Sequence, residues 1–272
     1  MFWTRFASSM ILMAVTIVMV VFGELPLIAF IGVISLIGLI EFYRALGFHR
    51  SLISYVCLAL GAVYEAMIFT SAMSLLPVYC IVSLTVILAL YVFCYPEYDT
   101  KTVMGAFFGL FYIVFMLSFI FMIRVMKPAG QYLVWLVFIS AWGSDTLAYC
   151  TGMLFGKHKL TPNLSPKKSV EGAIGGILGA VILSAVYAII FKNELGSAFS
   201  NPILCVVLIT LVCSAVSIVG DLAASAIKRG IGIKDFGNII PGHGGVLDRF
   251  DSITITAPCV FLLIMLFSVA GI

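Results

Sequence analysis

Residues 202–271 read PILCVVLITLVCSAVSIVGDLAASAIKRGIGIKDFGNIIPGHGGVLDRFDSITITAPCVFLLIMLFSVAG, two apolar runs (Pro202 to Ala224 and Ser252 to Gly271) joined by a polar stretch, Ser225 to Asp251. Each run is long enough to cross a hydrocarbon layer of ~30 Å as a helix. Only a helix or a closed barrel satisfies its backbone there, and unbroken apolar runs exclude the alternation of a barrel strand. The joining stretch is the anomaly. Its 27 residues carry four cations (Lys228, Arg229, Lys234, Arg249), three carboxylates (Asp235, Asp248, Asp251), His243 and six glycines, in a chain that is 63% hydrophobic and 10% charged. A helix connector needs only a few polar turn residues, so charges of both signs on a glycine-rich backbone point to phosphates and metal ions.

Working outward, seven further apolar runs precede this pair: Phe6 to Phe22, Leu25 to Tyr43, Leu52 to Thr70, Leu75 to Tyr95, Val103 to Ile123, Gln131 to Thr151 and Gly172 to Phe191. The mean hydropathy of +1.22 excludes a soluble globule, in which about a quarter of residues are charged. The expected fold is all-α, a polytopic integral membrane protein with nine transmembrane helices. Arg5 ahead of an apolar run imitates a signal peptide, but no small-residue cleavage site follows, so the first run is expected to stay as an anchor.

Lysine and arginine fix the orientation, because positive loops stay in the cytoplasm. With nine spans, 12 of the 15 fall on one side (Arg5, Arg44, Arg50, Lys101, Lys157, Lys159, Lys167, Lys168, Lys228, Arg229, Lys234, Arg249), against Arg124, Lys127 and Lys192 on the other. The N-terminus is therefore expected in the cytoplasm, and the two polar loops, after the sixth and eighth helices, share the cytoplasmic face of a cell membrane. No internal repeat is present. Charge and glycine gather after Gln131, so an N-terminal scaffold (1–129, five helices) and a C-terminal catalytic region (130–272, four helices) are expected. The seven cysteines lie in or beside apolar runs without a CxxC pair and are expected to be packing residues.

Within the scaffold, Glu41 and Glu65 each stand without a second acid, which favours snorkelling or a structural hydrogen bond over a site. The sixth helix differs. In WGSDTLAYCTG, Ala141, Asp145, Ala148 and Gly152 share a face, with Asp145 about 10 Å below the cytoplasmic end at 1.5 Å per residue. Beyond it, SPKKSVEG puts Lys167 and Lys168 beside a helix start capped by Ser169, a place that suits a phosphate. Gly172, Gly175, Gly176 and Gly179 offer a smooth face for close helix packing.

In the eighth helix, Ser217, Asp221, Ser225 and Lys228 form one stripe. Asp248 and Asp251 open the ninth. These two acids with Asp221, and Asp145 as a further candidate, read as a site for a hard divalent cation such as magnesium. His243 is equally a turn residue or a phosphate donor. Zinc spacing, a nucleophile elbow and a Walker A loop are all absent from the sequence.

The stretch Ser225 to Asp251, with its Lys-Arg pair, its Lys-Asp pair and PxHGGxxDRxD, resembles the signature of the phosphatidate cytidylyltransferases, also called CDP-diacylglycerol synthases. SDTxAYxxGxxFGK and SPKKSxEG look like that family's upstream blocks, with Ser169 where threonine is common. The resemblance covers Gln131 onward. It implies transfer of the cytidylyl group of CTP to phosphatidate, giving CDP-diacylglycerol and pyrophosphate, with magnesium required, a second cation left open, and a homodimer as the working form. By motif position it makes Asp221, Asp248 and Asp251 metal ligands, with Asp145 added from the residue pattern above. It gives Lys228, Arg229, Lys234 and Arg249 to phosphates, and Lys167 and Lys168 to one of the two anionic substrates. Ser225, His243, Gly244 and Gly245 complete the expected substrate-binding set. Partners are then CTP, phosphatidate and the bilayer, with no nucleic acid. Two rivals stay open: an enzyme that uses CTP on a polyprenol or an ether lipid, and a secondary transporter, which would put its acids near the midplane of paired, broken helices.

Overall fold

The computed structural model describes residues 2–240 and 244–271, with side chains from Met10 onward. The apolar runs are helices: α1 (Phe2–Phe22), α2 (Glu24–Ala45), α3 (Leu52–Phe69), α4 (Met73–Phe93), α5 (Thr100–Arg124), α6 (Gly130–Phe155), α7 (Val170–Ile190), α8 (Pro202–Gly230) and α9 (Leu247–Ala270). Helices α2 to α9 are long and apolar enough to cross a membrane, and Met10–Phe22 of α1 forms a shorter apolar helix, in line with the nine expected runs. The chain is a multi-pass membrane protein.

Helix boundaries follow local chemistry. Gly23 separates α1 from α2 at φ 65°, a left-handed conformation that glycine adopts without steric cost and that permits so abrupt a hairpin. The Ser51 hydroxyl accepts from Ser54 N–H at the start of α3, and the Asp99 carboxylate from Thr102 N–H at the start of α5 (2.8 Å). Asn201 accepts from Leu204 N–H ahead of Pro202, whose missing N–H costs nothing in a first helical turn. Two helices are locally wound as π-helix, α5 at Leu110–Phe115 and α6 at Ile139–Gly143, the second directly before Ser144 and Asp145. Such insertions recur at functional positions in helices.

One element escapes a purely helical reading. Strands β1 (Lys159–Thr161) and β2 (Ser165–Ser169) form an antiparallel hairpin with Lys159 opposite Ser169 and Thr161 opposite Ser165. Pro162 and Pro166 deny this stretch a helix, and Pro162-Asn163 supplies turn chemistry. Lys167 and Lys168 therefore sit on a strand rather than in an irregular loop.

The chain packs as two compact units, Met1–Phe121 with Ile233–Arg249, and Met122–Gly232 with Phe250–Ile272. The segment Ile233–Arg249 thus packs with the N-terminal helices, although it lies within the C-terminal half of the sequence. In the first unit, Tyr43 donates to the Ala106 carbonyl (2.6 Å), and the rings of Phe42 and Tyr43 occupy the space where a side chain at Gly109 would stand (2.8 Å each). The second unit is built on a glycine seam. A Cβ on Gly172 would meet the Ala148 carbonyl oxygen at 2.8 Å, and one on Gly176 would meet both the Ser144 carbonyl and the Ala148 side chain at 2.7 Å. Only glycine lets the α6 and α7 backbones approach this closely, as the expected smooth face requires. All seven cysteines are free, with Cys57, Cys205 and Cys213 buried as packing residues.

Candidate functional site

The second unit gathers charge at the ends of α6, α8 and α9. Asp145 lies in the first turn after the π-helical segment of α6 and forms a side-chain hydrogen bond with Ser252, one residue into α9 from Asp251. From α8 come Ser217, fully buried, then Asp221, then the buried Lys228, along the stripe that helical spacing predicts. The polar face therefore does run along the helix, and Asp221 and Lys228 each find a partner.

Lys168 Nζ is ion-paired with the Asp221 carboxylate, both about a quarter exposed, and Lys228 Nζ lies 3.7 Å from Asp251 Oδ2, both nearly buried. Asp145, Asp221 and Asp251 lie within electrostatic range of one another, and Lys168 lies within range of Asp145. Desolvation makes such like-charge proximity expensive, and the two ammonium groups offset much of it. Gly220 lets α8 approach closely here: a Cβ would be 3.3 Å from the Ser252 carbonyl and 3.5 Å from that of Asp251.

The hairpin that carries Lys168 is held at both ends. Ser169 caps α7, its hydroxyl accepting from Gly172 N–H at 3.1 Å, as expected. Glu171 of α7 reaches back to accept from the Lys157 and His158 amides and pairs with His158 Nδ1 at 2.6 Å. Lys167, on the same strand, is exposed, as is Arg229 at the end of α8, while Ser225 is half-buried.

The first unit contains the glycine-rich segment. Lys234 and Asp235 are exposed, Phe236 is buried against Phe42, and Arg249 is half-buried at the start of α9. Asp248, buried, accepts from two backbone amides at a single oxygen: Phe236 N–H (2.8 Å) and Gly245 N–H (2.9 Å), both to Oδ2. Gly244 sits at φ +88°, where an L side chain is strained, and its O accepts from Ile240 N–H (3.0 Å). His243 lies outside the described residues. The same limit applies to Pro241 and Gly242.

Glu41 has partners that the sequence does not name. Snorkelling or a structural hydrogen bond is expected there, and the hydrogen bond is what is found: fully buried in α2, Glu41 accepts from Val246 N–H (3.0 Å) and Leu247 N–H (2.9 Å) at the head of α9. No local signal links residues 205 positions apart. Glu65 is also buried; both its oxygens and the nearby Ser35 hydroxyl fall short of geometric hydrogen bonds, though the two side chains are close enough to interact.

Among the described residues, no group of three or more His, Cys, Asp or Glu side chains is gathered tightly enough to hold a metal ion. The reason is visible in the pairings, since Asp221 and Asp251 face ammonium groups and Asp248 faces amides.

A model of the cytidylyltransferase family matches residues 3–267. The chain belongs to that family. Among the curated members it resembles, the phosphatidate cytidylyltransferase of Bacillus subtilis (strain 168) is 38% identical over 146 residues, which is 54% of this chain and 52% of the relative. That of Haemophilus influenzae is 41% identical over 129 residues (47% and 44%), and that of Thermotoga maritima 34% over 167 residues (61% of each). The chain thus spans about half the length of the curated cytidylyltransferases it matches.

Proposed function

We propose that the protein transfers the cytidylyl group of CTP to phosphatidate, giving CDP-diacylglycerol and pyrophosphate. The observation that carries this is the α6–α8–α9 cluster, in which Asp145, Asp221 and Asp251 meet Lys168 and Lys228 in a member of the cytidylyltransferase family. That the similar curated proteins are phosphatidate cytidylyltransferases supports the choice of substrates.

The chemistry asks for this kind of site. A phosphatidate oxygen attacks the α-phosphorus of CTP, a new P–O bond forms, and the bond from that phosphorus to the bridging oxygen breaks to release pyrophosphate. The nucleophile is already an anion near neutral pH, so no strong general base is needed. The obstacle is bringing two anions together and spreading charge on the leaving group. Lysines paired to carboxylates can do this by exchanging a protein anion for a substrate anion at similar electrostatic cost. Lys168 and Lys228 take this role, with Lys167 and Arg229 as outer phosphate contacts. Lys234, Arg249, Ser225, His243, Gly244 and Gly245 keep the substrate contacts that the signature suggests.

The hard oxygens of Asp145, Asp221 and Asp251 are of the kind magnesium takes, although these side chains are not gathered tightly enough here to enclose an ion. Three carboxylates face two ammonium groups, so the ionised cluster carries one net negative charge, and its oxygens are hard ligands. Asp221 and Asp251, with Asp145, would hold the ion; a ligand role for Asp248, whose Oδ2 already accepts from two amides, rests on motif position alone. When bound, magnesium would neutralise phosphate charge. Cytoplasmic orientation of the site and a homodimer complete the proposal, the first supported by the distribution of lysine and arginine.

The test is pyrophosphate release by purified protein with magnesium, CTP and phosphatidate. Release is expected. Turnover with a polyprenol or ether-lipid acceptor, and none with phosphatidate, overturns the proposal.

A further inference from the structure

The mechanism above makes no use of Glu41, a carboxylate that is fully buried in α2. Its two oxygens are spent separately, Oε1 on the Val246 amide and Oε2 on the Leu247 amide. Those donors belong to the opening turn of α9, where amide groups lack partners inside the helix. The carboxylate also fills the space beside two glycines. A Cβ on Gly237 would stand 2.6 Å from Glu41 Cδ, and one on Gly245 would stand equally close to that atom. The neighbouring Phe42 packs its ring on Phe236 (6.0 Å between centroids). Two consecutive residues of α2 therefore grip both limbs of the segment Ile233–Arg249, one limb at Phe236-Gly237 and the other at Gly245 to Leu247.

We infer that Glu41 is a positioning residue: it sets where Lys234, Asp248 and Arg249 stand by holding the backbone of the segment that carries them. The inference rests on the proposed function for the importance of those three residues, and on geometry within the first unit for the hold itself. The chemistry requires a carboxylate. Both contacts are amide donors, so the site needs two acceptors and no donor. Glutamine has the same shape but offers one acceptor and turns an N–H group toward the second amide. Asp248 differs, because it accepts both of its amides at one oxygen, which an asparagine carbonyl could also do. The two glycines are explained by the same hold, since neither Gly237 nor Gly245 has a positive φ that would demand glycine. They are small because Glu41 passes between them.

The experiment compares wild type with Glu41→Gln, Glu41→Ala, Gly237→Ala and the double variant Glu41→Ala/Gly237→Ala, by hydrogen exchange of peptides and by pyrophosphate release. Glu41→Gln is expected to speed exchange in peptides covering 233–249 by about tenfold or more while peptides of α6 to α8 keep wild-type rates. Its kcat is expected to fall about tenfold or more, with KM for CTP changed by less than about threefold. Gly237→Ala should reproduce both effects in the wild-type background, yet add nothing to Glu41→Ala, because the collision needs the carboxylate. Wild-type exchange in 233–249, wild-type kcat in Glu41→Gln, exchange raised throughout the protein, or fully additive effects of the two alanines each overturn the inference. If wild type itself shows no turnover while Glu41→Gln still loosens 233–249 alone, the proposed function falls and the hold stands.

Discussion

The two regions that carry the charged residues use carboxylates in opposite ways. In the second unit, Asp221 and Asp251 pair with the ammonium groups of Lys168 and Lys228. In the first, Glu41 and Asp248 bind backbone amides. A side-chain ion pair can open and let either member take a new partner. A carboxylate bonded to two amides gives the backbone a fixed shape and loses that shape if it leaves. On the proposed function, the ion-paired groups are the ones free to exchange partners with substrate, while the amide-bound groups shape the backbone.

The largest expected effect tests the first half of that contrast. Asp221→Asn should lower pyrophosphate release by about a hundredfold or more, the scale of losing one key electrostatic contact, while hydrogen exchange throughout the chain stays near wild type. Widespread loosening would instead make Asp221 a structural residue. Next, Lys228→Met leaves Asp251 buried without its nearest cation, at a cost of about 3–5 kcal/mol, so thermal unfolding in detergent should begin well below wild type. Unchanged stability would mean that the 3.7 Å pair is dispensable to folding.

Asp248 tests the second half. Its asparagine variant can keep both amide bonds through one carbonyl oxygen, so exchange in 233–249 should remain slow, whereas Asp248→Ala should speed it. Loss of turnover in the asparagine variant with the segment intact would show that the charge also serves the reaction. Two smaller effects concern the support beneath the cluster. Gly176→Val should destabilise by about 1–3 kcal/mol through overpacking against Ala148, and Ser169→Ala by about 1 kcal/mol through loss of the α7 cap, both measurable as shifts in the unfolding midpoint.

Much of this was legible in the sequence because its causes are local. The spans follow from hydropathy over about 20 residues, the α7 cap from a serine ahead of an apolar run, and the α6–α7 seam from four glycines at helical spacing. The stripe from Ser217 to Lys228 followed from period alone. What stayed hidden depends on contacts between distant residues. Glu41 looks solitary until Val246 and Leu247 are brought to it, and nothing near Asp221 announces Lys168 as its partner. The hairpin was missed for another reason: three-residue and five-residue strands are too short to show a period.

That hairpin has a consequence for the cost of binding. Lys168 stands next to Ser169, the cap of α7, on a hairpin whose other strand is tied at its start to Glu171 through His158. A lysine on a loose loop would have to be immobilised at every encounter with an anion, losing backbone as well as side-chain freedom each time. Here the backbone share of that entropy is surrendered once, on folding. Each encounter with an anion then has only the four-carbon arm of Lys168 left to order.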